Sequence, residues 1–229
     1  MASRWQIIGA WCGPAFILLL MPIWYLMGFL PPLAPSLTAP EVAQFYSDHR
    51  SMIRFGATMI MQLTVLGLLW SAAISAQIRR IETEKAPFLS YTQLALGTLN
   101  FMLFLPPAMF WTVAAYRPER DIELIYLLND FAWLTLVMPV LGATLQSLTI
   151  GIAIMSDKRT LPIYPRWAGY MNLWVSVTFL PGGLATFFHS GPFAWNGIFD
   201  FWIPLTTFTL WIFVMAILTA QAASRQADG

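Results

Sequence analysis

Apolar positions run along this chain in long unbroken blocks, without the period-two alternation that marks half-buried strands. Six blocks are long enough to cross a bilayer as helices, which takes about 20 residues each. They cover about 7–30, 52–78, 88–115, 122–155, 167–188 and 197–222. The connections are too short to fold alone, so a single all-α polytopic membrane helix bundle over 1–229 is expected. The block at 122–155 exceeds what a bilayer requires, which predicts a protruding or tilted helix. Pro181 interrupts the fifth block, and a five-span alternative drops that segment.

Helix punctuation refines the pattern. Pro31-Pro32 ends the first block, because proline cannot continue a helix. The N-terminal block has no small-x-small cleavage site before Pro31 and reads as a retained anchor. In the first connection, Thr38-Ala39-Pro40-Glu41 fits a capping box and predicts a short interfacial helix over 40–49.

Charge adds orientation. Only 10% of the residues are charged, against about a quarter in soluble domains, so the lipid bilayer is the expected partner. The 12 basic and 11 acidic residues nearly cancel and no basic run exceeds a pair such as Arg79-Arg80, which argues against nucleic acid. Arg4, Arg79, Arg80, Lys85, Lys158, Arg159, Arg166 and Arg225 fall on one side, and Arg50, Arg54, Arg117 and Arg120 on the other. Basic residues concentrate on the cytoplasmic side, so both termini are expected in the cytoplasm, across a bacterial inner membrane. The lone Cys12 leaves no intrachain disulfide and no CxxC pair.

Two further patterns concern packing. Gly9 and Gly13 form a GxxxG, and Ala143, Ser147 and Gly151 form a stripe at spacing four. Small residues let membrane helices approach closely, either within the chain or in a homodimer or contact with another membrane protein. Pro22, Pro106, Pro107, Pro139, Pro181 and Pro204 fall inside the spans, all but Pro139 in the outer half. Bends at similar depth would splay the bundle into an outward pocket, since freed carbonyls are tolerated only against protein or water. Locally repaired kinks are the plainer alternative. Trp5, Trp11 and Trp167 suit an inner aromatic belt and Trp24, Trp111 and Trp195 an outer one. Trp133 and Trp174 sit deeper, as core or as pocket walls.

The ionisable residues gather toward the outer side: Asp48, His49, Arg50 and Arg54, then Glu119 to Glu123, then His189 and Asp200. Asp130 lies about 12 Å along its helix from Ile122 at 1.5 Å per residue. It shares a face with Glu123, with Tyr126 between them. An intramembrane charge costs roughly 2.5–3.5 kcal/mol on insertion scales, so Asp130 calls for a partner, and Arg54 is the obvious one. The pair is either structural or, with Asn129, the floor of a pocket. Asp200 is expected to be solvated or to sit at a helix N-terminus. His49 and His189, with Glu123 and Asp200, form a weak candidate set for a transition metal. Haem ligation by the two histidines is the alternative.

Several chemistries are absent. There is no lysine within a span for a Schiff base, no G-x-S-x-G and no P-loop. No motif implies a cofactor. The stretches Pro165 to Tyr170, Asn172 to Trp174, Phe179 to Gly183, Gly191 to Gly197 and Leu127 to Trp133 resemble a group of bacterial integral-membrane proteins of unassigned function. That resemblance implies a polytopic fold and no activity. The sequence therefore points to a non-enzymatic protein that binds or helps transport a small, largely apolar molecule. Its outward pocket is expected between the second, fourth, fifth and sixth helices, with Arg54, Asn129 and Asp130 below and Trp133 and Trp174 as walls. An accessory subunit of a larger complex and a membrane enzyme with a His/carboxylate site are the alternatives.

Overall fold

The computed structural model describes residues 2–82 and 86–227, and every regular element among them is helical. Lys85, part of the charge count above, lies outside the described residues. Helix α1 is Ala2–Leu26, α2 Ala39–Asp48, α3 Arg50–Ile81, α4 Phe88–Met102, α5 Leu105–Tyr116, α6 Ile122–Val137 and α7 Leu141–Ser156. After α8, Arg166–Thr178, come a 3-10 helix at Leu180–Phe187, a π-helix at Ile198–Trp202 and α9 at Ile203–Ala227.

Five helical stretches are long and apolar enough to cross a membrane: Arg4–Leu26, Arg50–Ile81, Phe88–Tyr116, Ile122–Ser156 and Ile198–Gln226. The fifth predicted block differs, because its α-helix stops after 13 residues and continues as the 3-10 helix of Leu180–Phe187. Pro181 explains the change, since its ring denies that turn an α-helical hydrogen bond.

The surface is inverted relative to a soluble protein. Leu18, Val65, Leu69, Trp174 and Leu210 face outward, while Gln77, Gln93, Asn100, Asn129, Gln146 and Asn172 are buried. Apolar solvent outside and polar contacts inside are what a bilayer selects, and the chain is an integral, multi-pass membrane protein.

The small-residue stripes are used inside the chain. A side chain on Gly9 would meet the Leu69 carbonyl at 3.0 Å and Ala73 at 3.2 Å, and one on Gly13 would collide with the Trp70 indole. The GxxxG thus seats α1 on α3. Gly151 lies against the Gly169 carbonyl, 3.2 Å from its would-be Cβ, which closes α7 on α8. Asn172 ties α8 to α9, because its Oδ1 accepts from Trp211 Nε1 at 2.8 Å.

Both ends of the chain meet at one end of the bundle. Gln77, near the end of α3, donates to Gln6 and, at 3.4 Å, to Gln226. Arg80 reaches the Ala222 carbonyl at 3.3 Å, and Arg225 reaches the Ile163 carbonyl at 2.7 Å. At this end Glu82 caps α4, accepting from the backbone of Leu89 at 2.7 Å and Ser90 at 3.0 Å. The opposite end gathers Arg54, stacked 5.6 Å from the Tyr116 ring, and Arg50, 3.4 Å from the Pro118 carbonyl.

That opposite end is built by local chemistry. Glu41 accepts from the Thr38 backbone and hydroxyl at 2.7 Å each, and starts α2 as predicted; the backbone hydrogen bond also holds its carboxyl below the usual range. Helix α1 stops earlier than Pro31. Gly28, at φ +74°, lets Phe29 donate back to Trp24 and Gly28 to Tyr25, the reciprocal bonds of a Schellman terminus. This turn drops Phe29 into a buried aromatic cluster with Trp111 at 4.8 Å and Trp133 at 5.4 Å.

Candidate functional site

The helix breaks converge. Spans α4/α5, α6/α7 and α8/3-10 interrupt at Leu103-Phe104, at Met138 to Val140 and at Phe179, and the π-helix precedes α9. Leu103, Phe104, Pro139, Val140, Phe179, Asp200 and Pro204 all line one cavity of about 130 Å³. Proline accounts for each break: Pro106 and Pro107 restart α5, Pro139 separates α6 from α7, and Pro181 ends α8. Pro204 stands four residues after Asp200 and has no N–H for its carbonyl. The turn widens instead, with Trp202 N–H bonded to Gly197 five residues back at 3.4 Å, as π-helices do.

The cavity is apolar apart from Asn100 and Asp200. Its walls also include Trp24 of α1, and the second span, α3, contributes no lining residue. Asp200 is 3% exposed, and neither carboxylate oxygen has a hydrogen-bond partner among the described residues. Of the two expected placements, Asp200 takes the one in the first turn of a helix and not the solvated one: the π-turn carries it inward, beside Phe201, which packs 5.8 Å from Trp24.

Below Asn100 runs a buried set of polar side chains from α3, α4 and α7. Asn100 donates to Gln146 Oε1 at 3.3 Å, and Gln93 donates to Ser71 Oγ at 3.2 Å. Gly97 makes room for both pairs, as a side chain there would collide with Ser71 Oγ and the Gln146 amide. Gln93 Oε1, Gln146 Nε2 and Thr144 Oγ1 have no partner among the described residues. Buried polar atoms are ordinarily bonded to protein or water. Continuing toward the Gln77 end, Ser75 donates to the Ser90 carbonyl at 2.6 Å. None of these neutral residues stood out in the sequence.

The sequence-derived floor is dispersed. Arg54 is exposed, lies over Tyr116 and does not pair with Asp130; the one ion pair among the described residues is Arg159 with Asp157 at 3.7 Å. Asp130 is half-buried and within electrostatic reach of His189 and Tyr46. Its neighbour Asn129 is buried and accepts from Tyr46 at 3.3 Å. Trp133 is fully buried in the aromatic cluster, 5.2 Å from Trp111 and 6.2 Å from Phe201, one layer behind the cavity wall. Trp174 is 74% exposed, faces outward and is not part of the Asp200 cavity wall.

The metal candidates stay apart. His49 stacks on Phe45 at 4.3 Å, His189 and Glu123 are exposed, and Asp200 is enclosed. No group of three or more His, Cys, Asp or Glu among the described residues is placed to hold a metal ion.

No family model and no solved structure matches the chain. Over 142 residues it is 28% identical to undecaprenyl phosphate-alpha-4-amino-4-deoxy-L-arabinose arabinosyl transferase 1 of Sodalis glossinidius (strain morsitans). The match covers 53% of this chain but 24% of that protein, so the chain spans about a quarter of the relative's length. What stands is a multi-pass helical membrane protein, similar over part of its length to a bacterial arabinosyl transferase.

Proposed function

We propose that the chain crosses a bacterial inner membrane six times, with both termini cytoplasmic, and binds or helps move a small, largely apolar molecule in the Asp200 cavity. The adjacent positions of Gln6, Gln77 and Gln226 support an even number of crossings, with α8 and the 3-10 helix together forming the fifth. The basic residues around Gln77 support its cytoplasmic side.

The observation that carries the functional reading is the unpartnered, enclosed carboxylate of Asp200. Leaving a buried polar group unmade costs about 1–3 kcal/mol, more for a charge. A group kept under that penalty inside a membrane is a functional site by default. The ligand it suits presents a hydrogen-bond donor or a cation to Asp200 and apolar surface to Phe104, Phe179 and Phe208. The size matters: about 130 Å³ is close to the ~150 Å³ cavity that accepts benzene and below the ~300 Å³ of drug-sized sites. The cavity therefore takes an end group, with the rest of the molecule passing the half-exposed rim at Leu136, Val137 and Pro139 toward lipid.

The test is native mass spectrometry of the protein purified in mild detergent. The reading expects a small molecule retained at stoichiometric amounts, reduced about tenfold in affinity by Asp200→Asn, a loss of ~1.4 kcal/mol. Retention equal in wild type and Asp200→Asn rejects the site.

A second reading, a membrane enzyme or enzyme-like fragment acting on a lipid-linked sugar, is favoured by the similarity to the arabinosyl transferase. An apolar chain ending in a small amine-bearing group fits the same cavity chemistry. Retention of a polyprenyl phosphate or its glycosylated form in the same measurement would select it.

A further inference from the structure

A second concave site lies at the opposite end of the bundle from Asp200. Ile7 and Trp11 of α1, Pro162 and Pro165 of the segment between α7 and α8, and Ile217 and Arg225 of α9 border a groove of about 800 Å³. That volume is within the ~300–1,000 Å³ range of ligand sites. Gln221 and Ser224 add polar side chains on the same wall.

The groove is held open by bonds to the connecting segment. Asp157 accepts from the backbone of Arg159 at 3.1 Å and of Ile163 at 2.9 Å, fixing the loop. Tyr164 bonds Thr219 at 3.0 Å, and Arg225 donates to the Ile163 carbonyl at 2.7 Å.

Among the described residues, positive charge accumulates here without matching acid. Arg80 reaches the Ala222 carbonyl, one turn from Arg225, and is repelled by both Arg159 and Arg225. Asp157 serves Arg159 and the loop backbone, and Glu82 is spent on capping α4. Among the described residues, the partners of Arg80 and Arg225 are a neutral amide and backbone carbonyls. A guanidinium has five donors, so Arg225, exposed at the groove, keeps most of its own for an anion. Beneath it, Ile7, Trp11 and Ile217 offer an apolar strip along the membrane.

We propose that this groove binds an anionic phospholipid, its phosphate at Arg225 and Ser224 with Arg80 and Arg159 adding to the field, and its acyl chain along Trp11 and Ile217. A phosphate fits forked guanidinium donors, basic pockets between helices at the cytoplasmic leaflet bind anionic head groups, and the strip distinguishes a lipid from a free anion.

The test is native mass spectrometry of the full chain in detergent supplied with phosphatidylglycerol or phosphatidylcholine, with and without inorganic phosphate. The expected result is one phosphatidylglycerol retained in preference to phosphatidylcholine. Arg225→Gln should reduce that preference about fivefold, the share of one arginine beside an anionic lipid, and Arg117→Gln at the far end should leave it intact. Ala220→Trp fills the groove while keeping the arginine, and should also release the lipid; it decides the matter if Arg225→Gln does not fold. Equal retention of the two lipids, a preference unchanged in both groove variants, or full displacement by inorganic phosphate overturns the proposal.

Discussion

The Tyr46 hydroxyl donates to Asn129 Oδ1 at 3.3 Å, with both side chains buried, and this contact fastens the short helix α2 to α6. Burial first, and then the nearby Asp130 charge, push the Tyr46 hydroxyl well above its ordinary range. The unfolded chain would release that proton near pH ~10, the folded chain only at higher pH. The stability tied to protonated Tyr46 is thus complete below ~10 and declines as pH rises further. Tyr164, raised by burial at the other end, acts in the same direction. Thermal unfolding in detergent from pH 8 to 11 should show the decline. Tyr46→Phe should flatten part of it and, at pH 7, cost about 1 kcal/mol by stranding Asn129. An unchanged alkaline slope in the double Tyr46→Phe, Tyr164→Phe variant would count against this account.

Close helix approach predicts opposite outcomes at two glycines. A Cβ on Gly67 would enter the Phe101 ring, whereas the nearest atom to one on Gly142 is 3.8 Å away. Gly67→Ala should destabilise by about 1–3 kcal/mol through overpacking. Gly142→Ala should be neutral or stabilise by up to about 1 kcal/mol, because alanine is the better helix former. Thermal unfolding of the two variants side by side checks the contrast, and equal losses would contradict the packing described.

The membrane character, the short helix α2 and the prolines that interrupt the spans were legible in the sequence because each has a local cause: run length, the Thr38–Glu41 box, and prolines at 106, 107, 139, 181 and 204; that these interruptions break the helices outright, and that Pro139 meets the others at one cavity, was not. The faces of the helices were not. In water a buried face is apolar and an exposed one polar, but lipid makes both apolar and erases that contrast. Trp133 and Trp174 are the same residue type in similar surroundings, yet one is enclosed and the other 74% exposed. The enclosure of Asp200, named in the sequence only as a metal candidate, escaped for a related reason, since the π-turn before Pro204 decides its direction. Asn100 and Gln146 carry no charge and draw no notice within an apolar run.

Arg54 and Asp130 should behave as independent sites. Arg54 stands over Tyr116 at 5.6 Å, and no ion pair links it to Asp130. Arg54→Gln should cost about 0.5–1 kcal/mol from the lost cation–π contact, and the double variant with Asp130→Asn should equal the sum of the two singles within ~0.5 kcal/mol. A coupling above ~1 kcal/mol in this cycle would reinstate the pair expected from sequence.

Pro204 separates the cavity's shape from its stability. Pro204→Ala restores an N–H four residues after Asp200, so the wide turn can tighten toward α-helix and swing the carboxylate away from Phe208. Replacing a proline near a helix start should change stability by less than the ~3 kcal/mol of an interior position, in the stabilising direction. The ligand retained by the native protein should nevertheless be lost. A variant that becomes more stable and keeps its ligand would show that the π-turn does not aim Asp200.

The proposed six crossings can be tested at the two ends of the bundle. Gln6, Gln77 and Gln226 share hydrogen bonds, so the six-crossing reading expects Ser224 on the same side as Lys158, and Asp121, which caps α6 through a 2.8 Å bond to the Glu123 backbone, on the other. If α8 with the 3-10 helix did not cross, the 157–165 segment and the C-terminal turn of α9 would be parted by the membrane, and the Tyr164–Thr219 and Arg225–Ile163 bonds could not form. In a Cys12→Ser background, Ser224→Cys and Lys158→Cys should resist a membrane-impermeant maleimide in intact cells and react after lysis, while Asp121→Cys reacts in both. Labelling of Ser224→Cys in intact cells, with Lys158→Cys protected, would require five crossings and break the contacts that join the two ends of the chain.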